Sequence, residues 1–208
     1  PRHGDLYGKT LVIAGYGRIG REVARRAQAF GMRIVAINRS PRPGDPFCPD
    51  VRPMAALADA AAEADFLLVT LPLDGETRGI IDAPVLAAMK PTGVVMNVGR
   101  GPTIDEEALY LALRERRIGG AIIDTWYAYP SQAEAAAAVQ PPSRFPFREL
   151  DNILMSPHAS AWTDALAGRR CAVIADNLDR LARGEPLRNV VAPARTGLSV
   201  PHRQRAPA

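Results

Sequence analysis

The stretch TLVIAGYGRIG, residues 10–20, constrains the fold of this chain more than any other. A short apolar run bounded by turn signals fits a strand buried on both faces, as in a parallel sheet. It runs directly into GxGxxG and then into a segment of helical spacing. Gly15 permits the tight turn, Gly17 lets a pyrophosphate approach the backbone, and Gly20 lets helix and strand pack closely. The N–H groups that open the helix are left for the phosphates of a dinucleotide. A glycine fingerprint alone is weak, but its position between strand and helix makes it specific.

Downstream, Ile19, Val23, Ala27 and Phe30 recur at helical spacing, Gly31 supplies a stop, and RIVAI reads as a second strand. Prolines at 41, 43, 46, 49 and 53 argue against regular structure in PRPGDPFCPDVRP and mark a surface loop. The alternation then repeats through a helix at MAALADAAAEA, a strand at FLLVT, a helix at APVLAAM, a strand at GVVMNV, a helix at IDEEALYLALRER and a strand at GAIID. This pattern predicts an α/β chain with a doubly wound parallel sheet, a Rossmann fold. Residues 130–147 break the rhythm as an irregular excursion, NILMS forms a last strand, and a long helix follows in which Cys171, Ile174, Leu178 and Leu181 share one face, closed by Gly184 and Pro186. The division expected is 1–160 for nucleotide binding, 161–191 for the last helix, and 192–208 for a proline-rich, polar tail expected to be disordered.

Composition narrows the partners. With 47% hydrophobic residues the chain can bury one good core. No apolar run reaches the roughly eighteen residues of a membrane span, and PRHGDLYGKT lacks the apolar centre of a signal peptide, so no membrane role and a cytoplasmic location are expected. The net charge of +4 comes without a basic stripe interleaved with aromatics, which argues against nucleic acid. Cys48 and Cys171 form no CxxC pair, so neither a disulfide framework nor a metal site is suggested.

Residues 34–40, IVAINRS, bear on the cofactor. At the end of this second strand an acidic residue would bond the ribose hydroxyls of NAD and repel the 2′-phosphate of NADP. Asn38 is uncharged, Arg39 can pair with a phosphate in a fork, and Ser40 can add a hydrogen bond. NADP is therefore the preferred cofactor, with NAD the alternative. Open parallel sheets bind ligands outside the carboxyl ends of their strands. Besides the glycine loop, the polar groups there are Arg100 after GVVMNV, Asp124 closing GAII, and His158 past NILMS. They suit hydride transfer to a 2-oxoacid, with Arg100 clamping the carboxylate and His158 exchanging the proton.

Together LYGKTLVIAGYGRIG, VTLPLDGETRGIID, MNVGRGPTIDEEAL, GGAIIDTW and SPHAS resemble the D-isomer-specific 2-hydroxyacid dehydrogenases, from about residue 6 to 192. That resemblance implies Arg100 and His158 as the catalytic pair. It implies cofactor contacts from Arg18, Ile19, Asn38, Arg39, Ser40, Leu71, Pro72, Thr77, Val98, Gly99, Arg100, Asp124, His158 and Ser160, and a homodimer formed largely through the nucleotide domain. The family commonly has a catalytic Glu where this chain has Tyr129, which joins Arg100 and His158 as a catalytic candidate. Tyrosine, neutral at pH 7, supplies no charge to hold an imidazolium, so reduction is expected to weaken from a lower pH upward. In this family the substrate domain combines roughly a hundred residues before the nucleotide domain with the last helix, so its N-terminal part is expected to be missing. The chain alone should then turn over slowly and expose its last helix. The alternative is a non-catalytic NAD(P)-binding sensor or inactive fragment.

Overall fold

In the computed structural model, residues 4–40, 45–129 and 141–190 are described. The chain divides into two units, 1–161 and 162–208. In the first, the order is β1 (Thr10–Ala14), α1 (Arg18–Ala29), β2 (Arg33–Ile37), β3 (Asp50–Arg52), α2 (Leu57–Glu63), β4 (Phe66–Val69), α3 (Ala83–Ala88), β5 (Val94–Asn97), α4 (Glu106–Arg114), β6 (Gly120–Ile123) and β7 (Ile153–Met155). The seven strands form one sheet in the order β3-β2-β1-β4-β5-β6-β7, with every pairing parallel. The chain leaves β1 toward one edge and returns to β4 on its other side, which makes β1 and β4 the switch point of a Rossmann fold.

Successive side chains of a strand point to opposite faces, and here both faces are covered near the switch point. Leu11 and Ile13 of β1, with Ile34 and Ala36 of β2, pack against Ala24 and Ala27 of α1. Their neighbours Val12, Ala14, Val35 and Ile37 join the cluster that includes α2, α3 and α4. This explains why the central strands read as continuous apolar runs rather than as alternating patterns. Ile13, Ile37 and Leu67 are fully buried, and truncating any one to Ala would cost about 2–5 kcal/mol.

One sequence expectation is refined and a second is corrected. The helical period of α1 is right, but its buried face is Gly20, Ala24 and Ala27, whereas Ile19 and Phe30 are exposed. A Cβ at Gly20 would lie 2.6 Å from the Gly15 carbonyl oxygen and 3.0 Å from Ile13 Cγ2, so the helix sits too close for a larger face. The correction concerns the proline-rich loop, which contains β3. Pro49 and Pro53 flank this strand and leave Asp50, Val51 and Arg52 free to pair with Val35, Ala36 and Ile37 at the sheet edge, where flanking prolines are tolerated. Arg52 then bonds Asp50 and Glu63, and together with Arg33 it pulls the Glu63 carboxyl down to about 2.

Other expectations agree with the structure. Gly31 adopts φ 70° and its N–H donates to the Gln28 carbonyl, which closes α1. Cys48 is buried and burial pushes its thiol up to about 11, so it is unreactive; Cys171 is exposed. Of the excursion at 130–147, residues 130–140 lie outside the described residues, and a 3-10 turn spans Phe147–Glu149. The tail at 192–208 also lies outside them. In the second unit, α5 (Leu166–Arg183) exposes Cys171, Ile174, Leu178 and Leu181 and ends at Gly184 with φ 69°. Among the described residues no helix is long and apolar enough to cross a membrane.

Candidate functional site

The register aligns the strand ends. Ile37, Ala14, Val69, Asn97, Ile123 and Met155 form one row across the sheet from β2 to β7. The residues immediately beyond that row are Asn38, Gly15, Thr70, Val98, Asp124 and Ser156. Arg100 and His158 each follow it by three positions. The groups singled out from the sequence therefore stand along one rim of the sheet. Arg100 and His158 belong to strands two spacings apart, about 10 Å at the backbone.

The glycines of the first turn have three physical roles. Gly15 has φ 102°, and a Cβ there would fall 2.9 Å from Leu71 N, so this turn and the end of β4 are pressed together. Thr70 locks the approach, its hydroxyl donating to the Gly15 carbonyl at 2.5 Å. Gly17 differs, since a Cβ there would meet nothing within 4 Å. It lines both a cavity of about 200 Å³ with Gly15, Asn38, Arg39, Leu71, Pro72 and Thr77, and one of about 310 Å³ with Arg18, Asn38 and Ser40. Gly17 is also the N-cap of α1 and gives no side-chain cap, and the first turn contains Arg18 and Arg21 but no acid. Cations at a helix N-terminus oppose the helix dipole, so the arrangement suits an anion between them and the free N–H groups. These residues fit a dinucleotide diphosphate. Ile19, in the same first turn, is exposed beside Arg18.

Arg39 lies at the cavity but is engaged: its guanidinium bonds Asp74 at 2.8 Å and pairs with Glu76 at 2.9 Å. The Asn38 side chain donates to the Ser40 carbonyl and shapes the NRS turn. Thr77 is buried, and its hydroxyl donates to the Pro72 carbonyl at 2.7 Å while accepting the Asp74 N–H at 2.9 Å.

Arg100 is held by its backbone. Buried Asn97 accepts the Gly99 N–H at 2.9 Å and donates to the Arg100 carbonyl at 3.1 Å, and the Thr103 hydroxyl donates to the same carbonyl at 2.6 Å. The side chain is exposed and one guanidinium N–H donates to the Gly99 carbonyl at 2.7 Å. Val98 packs against the cluster on the α1 face. A Cβ on Gly99 would lie 2.7 Å from the Leu71 carbonyl oxygen, and one on Gly101 only 2.2 Å from that of Trp126. Backbone meets backbone here, so neither neighbour can yield cheaply. Gly101→Ala is expected to cost about 3 kcal/mol, read as a lower denaturation midpoint at unchanged slope.

Asp124 organises the loop that presents His158. Its buried carboxylate accepts the Ser156 hydroxyl, the Ala159 N–H at 2.8 Å, the Ser160 N–H at 3.2 Å and the Ser160 hydroxyl at 2.5 Å. Burial alone would raise its pKa, but these donors, led by the two serine hydroxyls, outweigh it and hold the carboxyl below its usual range. A depressed folded-state pKa contributes stability that is present above the unfolded value of about 4 and is lost as pH falls through the folded one. Asp124→Ala removes that acceptor at every pH. Amide exchange at Ala159 and Ser160 should quicken about thirtyfold or more, matching roughly 2 kcal/mol of lost bonding.

His158 is exposed and has φ 58°, an uncommon backbone state for a residue with a Cβ, which the Asp124 bonds help to hold. The Tyr129 ring lies 5.4 Å from the imidazole centroid at 44°. Its hydroxyl accepts the Trp126 N–H at 2.8 Å. Tyr129 also lines an apolar cavity of about 390 Å³ with Trp126, Pro142 and Met155.

The sequence reading missed Thr70, Asn97, Thr103 and Ser156. A signal existed for the first two, because each is a polar residue ending an apolar run and must find a partner when buried. Asp74 and Glu76 gave no such signal, being ordinary acids in a turn.

Comparison with known proteins bears on this geometry. Residues 1–160 match the pattern described as D-isomer specific 2-hydroxyacid dehydrogenase, NAD binding domain. The chain is 34% identical over 194 residues to D-3-phosphoglycerate dehydrogenase of Methanocaldococcus jannaschii, covering 90% of this chain and 34% of that protein. It is 35% identical over 187 residues to glyoxylate reductase of Thermococcus onnurineus, covering 87% of this chain and 51% of that one. Among solved structures it superposes on the NADPH-dependent glyoxylate/hydroxypyruvate reductase of Sinorhizobium meliloti in complex with NADP and sulfate, with a TM-score of 0.76 and 27% identity, over 92% of this chain and 58% of that one. The chain thus spans about half the length of the curated relatives it matches, or less.

Proposed function

The chain belongs to the D-isomer-specific 2-hydroxyacid dehydrogenase family, and from that premise we propose that it serves the NADP(H)-dependent interconversion of a small 2-oxoacid and its 2-hydroxyacid. When bound, the nicotinamide supplies or accepts the hydride. Gly17, Arg18 and the N-terminus of α1 hold the diphosphate, while Asn38, Arg39 and Ser40 receive the phosphorylated ribose. Gly15, Gly20, Ile19, Leu71, Pro72, Thr77, Val98 and Gly99 shape the cofactor's groove. Arg100 pairs with the substrate carboxylate and orients the carbonyl. His158 gives a proton to the developing alkoxide during reduction and takes it back during oxidation. Asp124 and Ser160 position His158 by ordering its loop.

The observation that supports this reading is the shared rim, which sets a cation and an imidazole on one edge with the glycine loop. The test is NADPH oxidation followed by absorbance with glyoxylate and hydroxypyruvate as acceptors, in this chain and in the longest form of the protein its gene encodes. Reduction of either acid supports the proposal.

Tyr129 at the family's Glu position favours a second reading, a non-catalytic NAD(P)-binding sensor. Tight NADPH binding with no 2-oxoacid reduced in either form would establish that reading instead. A homodimer in the cytoplasm belongs to the first reading, and sedimentation checks its assembly.

A further inference from the structure

Arg39 follows β2, whereas Asp74 and Glu76 follow β4, and β1 lies between those strands in the sheet. The ion pairs from Arg39 to Asp74 and Glu76 therefore reach across the carboxyl end of β1, where the glycine turn begins. Arg39 and Thr77 both line the cavity of about 200 Å³ at this place. Asp74 is fixed in its turn, because its Oδ1 accepts the N–H groups of Glu76 and Thr77 at 3.0 Å and its Oδ2 is what Arg39 meets. Arg39, ahead of the Thr77 and backbone donors, holds the Asp74 carboxyl below its usual range. Glu76 is exposed, and its ion pair among the described residues is with Arg39.

We propose that Asp74 and Glu76 form a latch that holds the Arg39 guanidinium across the adenosine end of the groove and thereby tunes coenzyme choice. Both carboxylates meet the same Nη2 of Arg39, so a 2′-phosphate competes with them for that nitrogen, and a bare ribose hydroxyl lacks the charge to do so. The latch thus weakens NADP(H) binding selectively and narrows its advantage over NAD(H). This inference rests on the reading of Arg39 as the phosphate-binding residue.

The experiment is calorimetric titration of this chain with NADPH and NADH, and with 2′,5′-ADP and 5′-AMP as their adenosine halves. Exposed ion pairs are weak, so Glu76→Gln should tighten NADPH and 2′,5′-ADP by about threefold, and Asp74→Asn with Glu76→Gln by about tenfold. Asn at 74 keeps the acceptor that the turn needs. NADH and 5′-AMP should stay within about twofold, and adding Arg39→Ala should abolish the gain. Equal gains for both coenzymes, or no gain for NADPH while Arg39→Ala alone still weakens it, would overturn the latch and leave the phosphate reading standing. If Arg39→Ala alone leaves NADPH affinity unchanged, the phosphate reading fails and the latch fails with it.

Discussion

His158→Asn is expected to lower kcat for the proposed 2-oxoacid reduction by about a thousandfold, within the usual range for loss of a general acid, and to change NADPH affinity by less than about threefold. Asparagine is the informative replacement because it tolerates the left-handed backbone that His158 adopts at φ 58°. The loop should keep its bonds to Asp124, so that only the imidazole is lost. Alanine would confound the result, since it adds backbone strain. A loss of less than tenfold in single-turnover kinetics would mean that the alkoxide takes its proton elsewhere. The same assay tests Tyr129: its ring lies 5.4 Å from the imidazole, so a carboxylate introduced in its place by Tyr129→Glu favours the charged imidazole. The reductive limb of the pH profile should move to higher pH. A limb that does not move would remove Tyr129 from the proton's surroundings.

In the proposed reaction Arg100→Ala should lower kcat/KM by about a thousandfold, as expected for loss of a charge-assisted pair that anchors and polarises the substrate. Arg100→Lys should recover little of this, because an ammonium cannot grip a carboxylate with two parallel bonds. The backbone at this position is held by Asn97 and Thr103, so neither substitution disturbs the loop. Stability should remain within about 0.5 kcal/mol of the parent, measured by denaturant unfolding. Guanidinium added to the Ala variant should restore part of the rate. Unchanged kcat and KM in Arg100→Ala would place the carboxylate elsewhere.

Much of the scaffold was legible because its causes are local. Apolar runs of strand length, helical spacing and glycine stops identified every β-strand but one. The exception, β3, was hidden by prolines that merely flank it, and only pairing with β2 makes that segment a strand. The buried face of α1 lies beyond the sequence for a related reason: periodicity finds a helix, but the closeness of Gly20 to Gly15 and Ile13 selects its buried face. Asp124 shows the same limit within the candidate site. Its place at a strand end was clear, yet its bonds to Ser156, Ala159 and Ser160 recast it as the support for the His158 loop.

Read alone, the residues settle the alternation of strand and helix, the glycine turn and the row of strand ends that carries the candidate site, since these follow from side-chain period and a missing Cβ. They do not settle what each rim group holds. Arg39 meets Asp74 from 35 positions away, and Asp124 meets Ala159 from the same separation. Hydrogen bonds and ion pairs act over a few ångströms of space, so these partnerships exist only once the sheet has brought its strand ends together.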